Sequence, residues 1–100
     1  MEREWQARGY TTVTNKRFFS GVDIQVFNED WKLCVVIESA NYSSTSRMHP
    51  NTFKRYIREL TFYEGVDKIL VISFKKNMSK KQWQGFIDNN IAIRIEQFQD

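Results

Sequence analysis

One cysteine, one proline, one histidine and four glycines are all that this 100-residue chain holds of the residues that staple, break or metallate a fold. With Cys34 alone, no internal disulfide can form, and there is no Cys/His spacing for a zinc site. His49, in a polar loop, reads as a bystander, and no histidine-based triad can be assembled around it. The lone thiol, in an apolar run, favours a reducing, cytoplasmic setting. No apolar stretch approaches the roughly 20 residues that cross a bilayer, so no membrane association is expected. The opening MEREWQARGY is charged and lacks the apolar segment of a signal peptide. Low-complexity tracts and repeats are also missing.

What is present is core-forming material. Apolar residues make up 41% and aromatics 15%, which argues against disorder and for one packed domain spanning residues 1–100. The net charge of +3 permits nucleic-acid binding without requiring it.

The elements can be placed by periodicity. Glu2 to Arg8 reads as a short helix stopped by Gly9, and Tyr10 to Thr14 as a strand. Val22 to Phe27 and Lys32 to Ala40 read as two strands of a hairpin around the turn Asn28-Glu29-Asp30-Trp31, where Asn and Asp can bond their own backbone. Leu33, Val35 and Ile37 fall on one face and Cys34 and Val36 on the other. Both faces are apolar, so both should be covered. Asn41 to His49 is a polar loop. A helix opens at Pro50 or Asn51, with Phe53, Tyr56, Ile57 and Leu60 as its buried stripe and Lys54, Arg55, Arg58 and Glu59 on the other side. Gly65 is its expected stop. Lys68 to Phe74 is a continuous apolar run, as in a buried parallel strand. Ser79 and Gln82 form a capping box for a last helix striped by Trp83, Phe86 and Ile87. Asn89-Asn90 end it, and Ile91 to Glu96 closes as an outer strand. The expected fold is α/β: a mixed five-stranded sheet, an antiparallel meander followed by parallel strands joined by right-handed crossovers, with helices on both faces.

Two acids stand out in this frame. If the turn centres between Asp30 and Trp31, opposed residues in the hairpin sum to 61, and Asp23 and Glu38 are such a pair. Opposed residues share a face, with Cβ atoms about 4.5–5.5 Å apart. Like charges so placed destabilise a sheet, and more so when partly buried. A divalent cation resolves the conflict: Mg²⁺ takes one or two protein carboxylates plus water and phosphate oxygens. The plainer alternative is that Asp23 caps the strand start and Glu38 pairs with Arg55 or Arg58.

The string G-V-D-I-Q-V-F, a turn, then V-V-I-E-S-A-N-Y resembles the PD-(D/E)XK nuclease superfamily, and within it the Mrr-like restriction endonuclease domains. The matching positions are Gly21, Asp23, Glu38, Ser39, Ala40 and Tyr42. The order T-F-Y-E-G-V-D, K-I-L-V-I-S, a helix after Met78 and I-A-I-R-I-E continues the pattern, so the resemblance runs from Gly21 to near the end and is weak before it. It implies a restriction-endonuclease-like fold and hydrolysis of DNA phosphodiesters with Mg²⁺ or Mn²⁺ held by Asp23 and Glu38. The implied substrate is duplex DNA, modified or branched forms included, in restriction or repair. By analogy it implies a homodimer. Gln25 would stand behind the metal ligands. A first-helix glutamate, Glu2 or Glu4, would join them.

One position departs from the pattern. The lysine expected at residue 40 is Ala40. Either its role has migrated to Lys54, or the domain binds nucleic acid or protein without cutting, or alanine was placed there deliberately. A piece of a larger defence or mobile-element effector is a further reading, since such domains usually travel with partners. Outside the acids, Lys75, Lys76, Lys80 and Lys81 cluster at the start of the last helix. Lys16 and Arg17 precede the Asp23 strand, and Arg47 lies in the serine-rich loop. All seven are candidate phosphate contacts, or simply solvated charge.

Overall fold

The computed structural model describes residues 2–14 and 21–96, and for Glu2 the backbone alone. Lys16 and Arg17 lie outside the described residues. Five strands make one sheet in the order β1-β2-β3-β4-β5. They are β1 (Thr11–Thr14), β2 (Ile24–Phe27), β3 (Leu33–Ala40), β4 (Asp67–Ile72) and β5 (Ile91–Ile95). The helices are α1 (Glu2–Ala7), α2 (Pro50–Thr61) and α3 (Lys80–Asp88). Strands β1 to β3 pair antiparallel, while β3, β4 and β5 pair parallel. This is the mixed meander-then-parallel sheet that the periodicity predicts.

The hairpin turn is built as its residues require. Asn28 Oδ1 accepts hydrogen bonds from the Asp30 and Lys32 backbone N–H groups at 2.9 and 3.0 Å. Trp31 completes the reversal with φ 59°. The register runs Ile24–Ile37, Gln25–Val36 and Val26–Val35, then shifts to Phe27–Leu33. Each of the first three pairs sums to 61, and a β-bulge at Cys34 absorbs the extra residue. The bulge also corrects the expected facing. Leu33 packs with Val36 and Ala40, while Cys34 packs with Val35 and Ile37, the reverse of strict alternation.

The sheet has two apolar faces, and both are covered. Val36, Ala40, Leu70, Ile72 and Ile91 meet Tyr56 and Leu60 of α2 and Phe86 of α3. Val26, Val35, Ile37 and Val71 meet Trp5 of α1 and Tyr10. Phe53 stands edge-on to Phe86 with ring centroids 5.1 Å apart, joining α2 to α3. Gly85 makes that approach possible, because a Cβ there would lie 2.5 Å from the Phe53 ring.

The caps follow the chemistry of the sequence, with one addition. Ser79 and Gln82 form the reciprocal capping box of α3. His49 is more than a bystander: its Nδ1 accepts from the Asn51 N–H at 3.0 Å and caps α2. Helix α2 ends at Thr61, earlier than Gly65, which uses φ 74° to turn the chain into β4. Among the described residues no helix is long and apolar enough to cross a membrane.

Two loops leave the carboxyl ends of β3 and β4, and they are tied together. Asn77 is fully buried between them. Its Oδ1 accepts from the Phe74 N–H, and its Nδ2 donates to the Ser43 and Ser46 carbonyls, all at 2.8 Å. Met48 N–H donates to the Asn77 carbonyl at 2.7 Å, and Gln82 Nε2 donates to the Met48 carbonyl at 3.0 Å. The serine-rich segment is therefore a fastened loop.

Candidate functional site

Asp23 lies one residue before β2, and continuing the 61 register sets it opposite Glu38 on β3. Its carboxylate does not cap its own strand. Asp23 Oδ2 accepts a hydrogen bond from the Ser39 backbone N–H at 2.7 Å, which holds the group against β3 next to Glu38.

Glu38 shares its sheet face with Val36 and Ala40, inside the α2-side core. It is 1% exposed. Its Oε1 is buried, with no hydrogen-bond partner among the described residues. Such an orphaned acceptor normally costs free energy and calls for an explanation. Burial first, then the charges of Asp23 and Glu59 and a hydrogen bond shared with Glu59, push the Glu38 carboxyl up to about 9. Arg55 pulls in the opposite direction and is outweighed.

Glu59 and Arg55 are the groups that sequence periodicity did not bring to this place. The reading above puts both on the outer side of α2. The structure instead places them beside the buried stripe, flanking Tyr56. Arg55 Nε lies 4.0 Å from Glu59 Oε1, an i, i+4 contact, and its guanidinium stands 5.2 Å from the Tyr56 ring centroid. Burial raises the Tyr42 hydroxyl, with Arg55 opposing. Burial, Tyr42 and Glu38 push Tyr56 up to about 12. The site thus holds Asp23, Glu38 and Glu59, one guanidinium and two phenols. A signal was available: four charged residues on α2 cannot all avoid the sheet when the stripe includes Tyr56 and Leu60.

The remaining candidates divide. Gln25 is on the site's face, but its Nε2 donates to the Tyr63 hydroxyl at 3.1 Å rather than to either acid. Glu4 is not brought to the pair. It belongs to α1, on the opposite sheet face, and binds Arg94 at 2.9 Å and Arg8 at 3.2 Å. The hydrogen bond from Arg94, and after it the charges of Arg94 and Arg8, hold its carboxyl below the usual range against the opposing effect of desolvation. The reason is register: Arg94 pairs with Val71 and so faces α1. Lys54 is exposed, two residues and about 160° around the helix from Tyr56. The cation beside the acids is Arg55, not Lys54. Ala40 is 3% exposed and packs in the core.

A cleft of about 490 Å³ opens beside the acids, lined by Gly21, Arg58, Glu59, Phe62 and Tyr63. Phe62 stands 79% exposed at its edge. At the start of α3, Lys75, Lys76 and Lys80 line a separate groove, and Lys81 is exposed next to it. Arg47 is tied down: its guanidinium donates to the Lys76 carbonyl.

Among the described residues no three His, Cys, Asp or Glu side chains are arranged as a ready metal cage. Asp23 and Glu38 make a set of two. Two carboxylates, one with a free buried oxygen, fit a hard divalent ion that completes its shell with water and substrate oxygens.

No family model matches this chain, and no curated protein matches its sequence. A solved structure does. The crystal structure of a repair endonuclease from Pyrococcus abyssi superposes with a TM-score of 0.59 at 16% identity, over 95% of this chain and 42% of that one. This chain therefore spans less than half of that protein's length. At such identity the likeness concerns architecture, and the architecture is the restriction-endonuclease-like α/β fold.

Proposed function

We propose that this domain hydrolyses DNA phosphodiester bonds with Mg²⁺ or Mn²⁺ held by Asp23 and Glu38. The observation that carries the reading is half-buried Asp23 set against fully buried Glu38, with Glu38 pushed up to about 9 and one of its oxygens unpartnered. An arrangement that costs folding stability asks for a compensating charge. A divalent ion bound there supplies a water of lowered pKa and offsets negative charge on the phosphodiester.

The side chains have distinct tasks. Ser39 N–H orients the Asp23 carboxylate toward the ligand position. Glu38 must give up its proton before it can ligate, and Glu59, whose charge helps raise it, is the adjacent carboxylate. Arg55, half-exposed beside Glu59, meets the phosphate anion that the three acids would repel. The repair endonuclease likeness supports DNA as the substrate class. The Mrr-like affiliation, action on modified or branched duplexes, and cutting as a homodimer extend the same proposal.

Ala40 favours a second reading, a nuclease-fold domain that binds without cutting. Its side chain is an apolar, core-packed methyl where the related pattern has an amine. Plasmid incubated with Mg²⁺ or Mn²⁺ separates the two. The nuclease reading expects nicking that both D23N and E38Q abolish. No nicking by the native chain or by A40K leaves the binding reading.

A further inference from the structure

The lysine groove at the start of α3 is the strongest feature that the acid site does not use. Lys75, Lys76, Met78, Ser79, Lys80 and Trp83 line it, and its volume is about 610 Å³, in the range of ligand pockets. Met78, 5% exposed, forms a buried floor. Trp83 is partly buried against the core and also lines the groove. Three ammonium groups line the walls, and no carboxylate does. The Arg47 guanidinium adds a fourth positive charge next to Lys76.

Lysines alone suit any polyanion. The aromatic wall is more selective, because only a base with a free face can stack on it, and duplex bases have none. The groove also lies at the right end of the sheet. It follows β4, whose neighbour β3 carries Glu38, and the Asn77 staple fixes the loop from one strand to the loop from the other. Ligands of open α/β sheets bind outside such carboxyl ends.

We propose that this groove binds a single-stranded nucleic-acid segment, with a base stacked on Trp83 and flanking phosphates on Lys75, Lys76 and Lys80. The ligand class rests on the nucleic-acid reading above, but the site is separate from Asp23 and Glu38. Strand ends, gaps or unpaired stretches would be seated here while the acids face the adjoining backbone.

The test is a binding titration of the full chain in EDTA, where no cutting can occur. The probes are an oligothymidylate about a dozen nucleotides long and a duplex of equal length. The single strand is expected to bind more tightly and to quench tryptophan emission, with the quenching lost in W83F. Replacing Lys75, Lys76 and Lys80 together by alanine should weaken binding about tenfold or more and lower the salt slope by about 2, as three lost phosphate contacts on a single strand require. K32A, which removes an exposed charge at the hairpin turn, should change little. Thermal melts confirm that each variant is folded. The proposal is overturned if the duplex binds as tightly without quenching, if the triple variant matches K32A, or if polyglutamate competes as well as the oligonucleotide. Failure here with plasmid nicking intact rejects the groove and keeps the nuclease. Single-strand binding without nicking does the reverse.

Discussion

A carboxyl group pushed up to about 9 keeps its proton at neutral pH in the folded chain, while the unfolded chain loses it near 4.5. Between those values the folded state binds more protons, so stability falls as pH rises, by up to about 1.4 kcal/mol per unit from this group. The full contribution is present below pH 4.5 and gone above about 9. E38Q keeps the shape and removes the titration. In EDTA, melting curves from pH 6 to 9 should show the native chain losing Tm steadily and E38Q nearly flat, with E38Q the more stable at pH 8. Parallel slopes for the two proteins would show that Glu38 does not carry the proton. Such a substitution would trade function for stability at one residue.

The same logic applies to the two loops that leave β3 and β4. Asn77 answers three backbone groups from within the core: the Phe74 N–H and the carbonyls of Ser43 and Ser46. N77A leaves all three to find other partners, and a loss of about 2–3 kcal/mol is expected in chemical denaturation. Hydrogen exchange should speed up in both 41–48 and 74–79 together, since one side chain holds both. Faster exchange in only one loop would mean that the loops are fastened independently. At this scale the periodic reading succeeded wherever the cause was local. The Asn28 turn, the Ser79–Gln82 box and the continuous Val-Ile-Leu run of β4 each depend on residues within a few positions. The His49 cap is local too, but an imidazole is a less common cap than a hydroxyl or carboxamide. It was missed for that reason. The reversed facing of Leu33 and Cys34 came from the bulge, which the sum-to-61 register alone does not reveal.

For the whole molecule, metal binding and folding are linked. An ion that binds the native Asp23–Glu38 pair but not the unfolded chain adds about 2.7 kcal/mol at a concentration of 100 Kd. For a domain of this size that raises Tm by roughly 10 °C or more. The gain should be larger at pH 8 than at pH 6, because the ion displaces the Glu38 proton. It should vanish in D23N and in E38Q, and be unaffected by substitutions in the lysine groove. A Mg²⁺ shift that survives D23N would place the ion elsewhere.

Alternation, caps, turn chemistry and the hairpin register are short-range properties, so the sequence by itself determined the elements, their order and the opposition of Asp23 and Glu38. The tertiary structure decided what surrounds the pair. Glu59 and Arg55 come to it only because the crossover lays α2 on one face of the sheet at a particular rotation about its axis. Glu4 is kept away because α1 covers the other face and Arg94 waits there. Lys54 points to water because it lies nearly opposite Tyr56. The rotation of a helix over a sheet is set by side-chain packing across many residues far apart in the chain. That is why the acids could be paired from the sequence, and Arg55 named as one of two candidate partners, but the proton on Glu38, the approach of Glu59 and the walls of the groove could not.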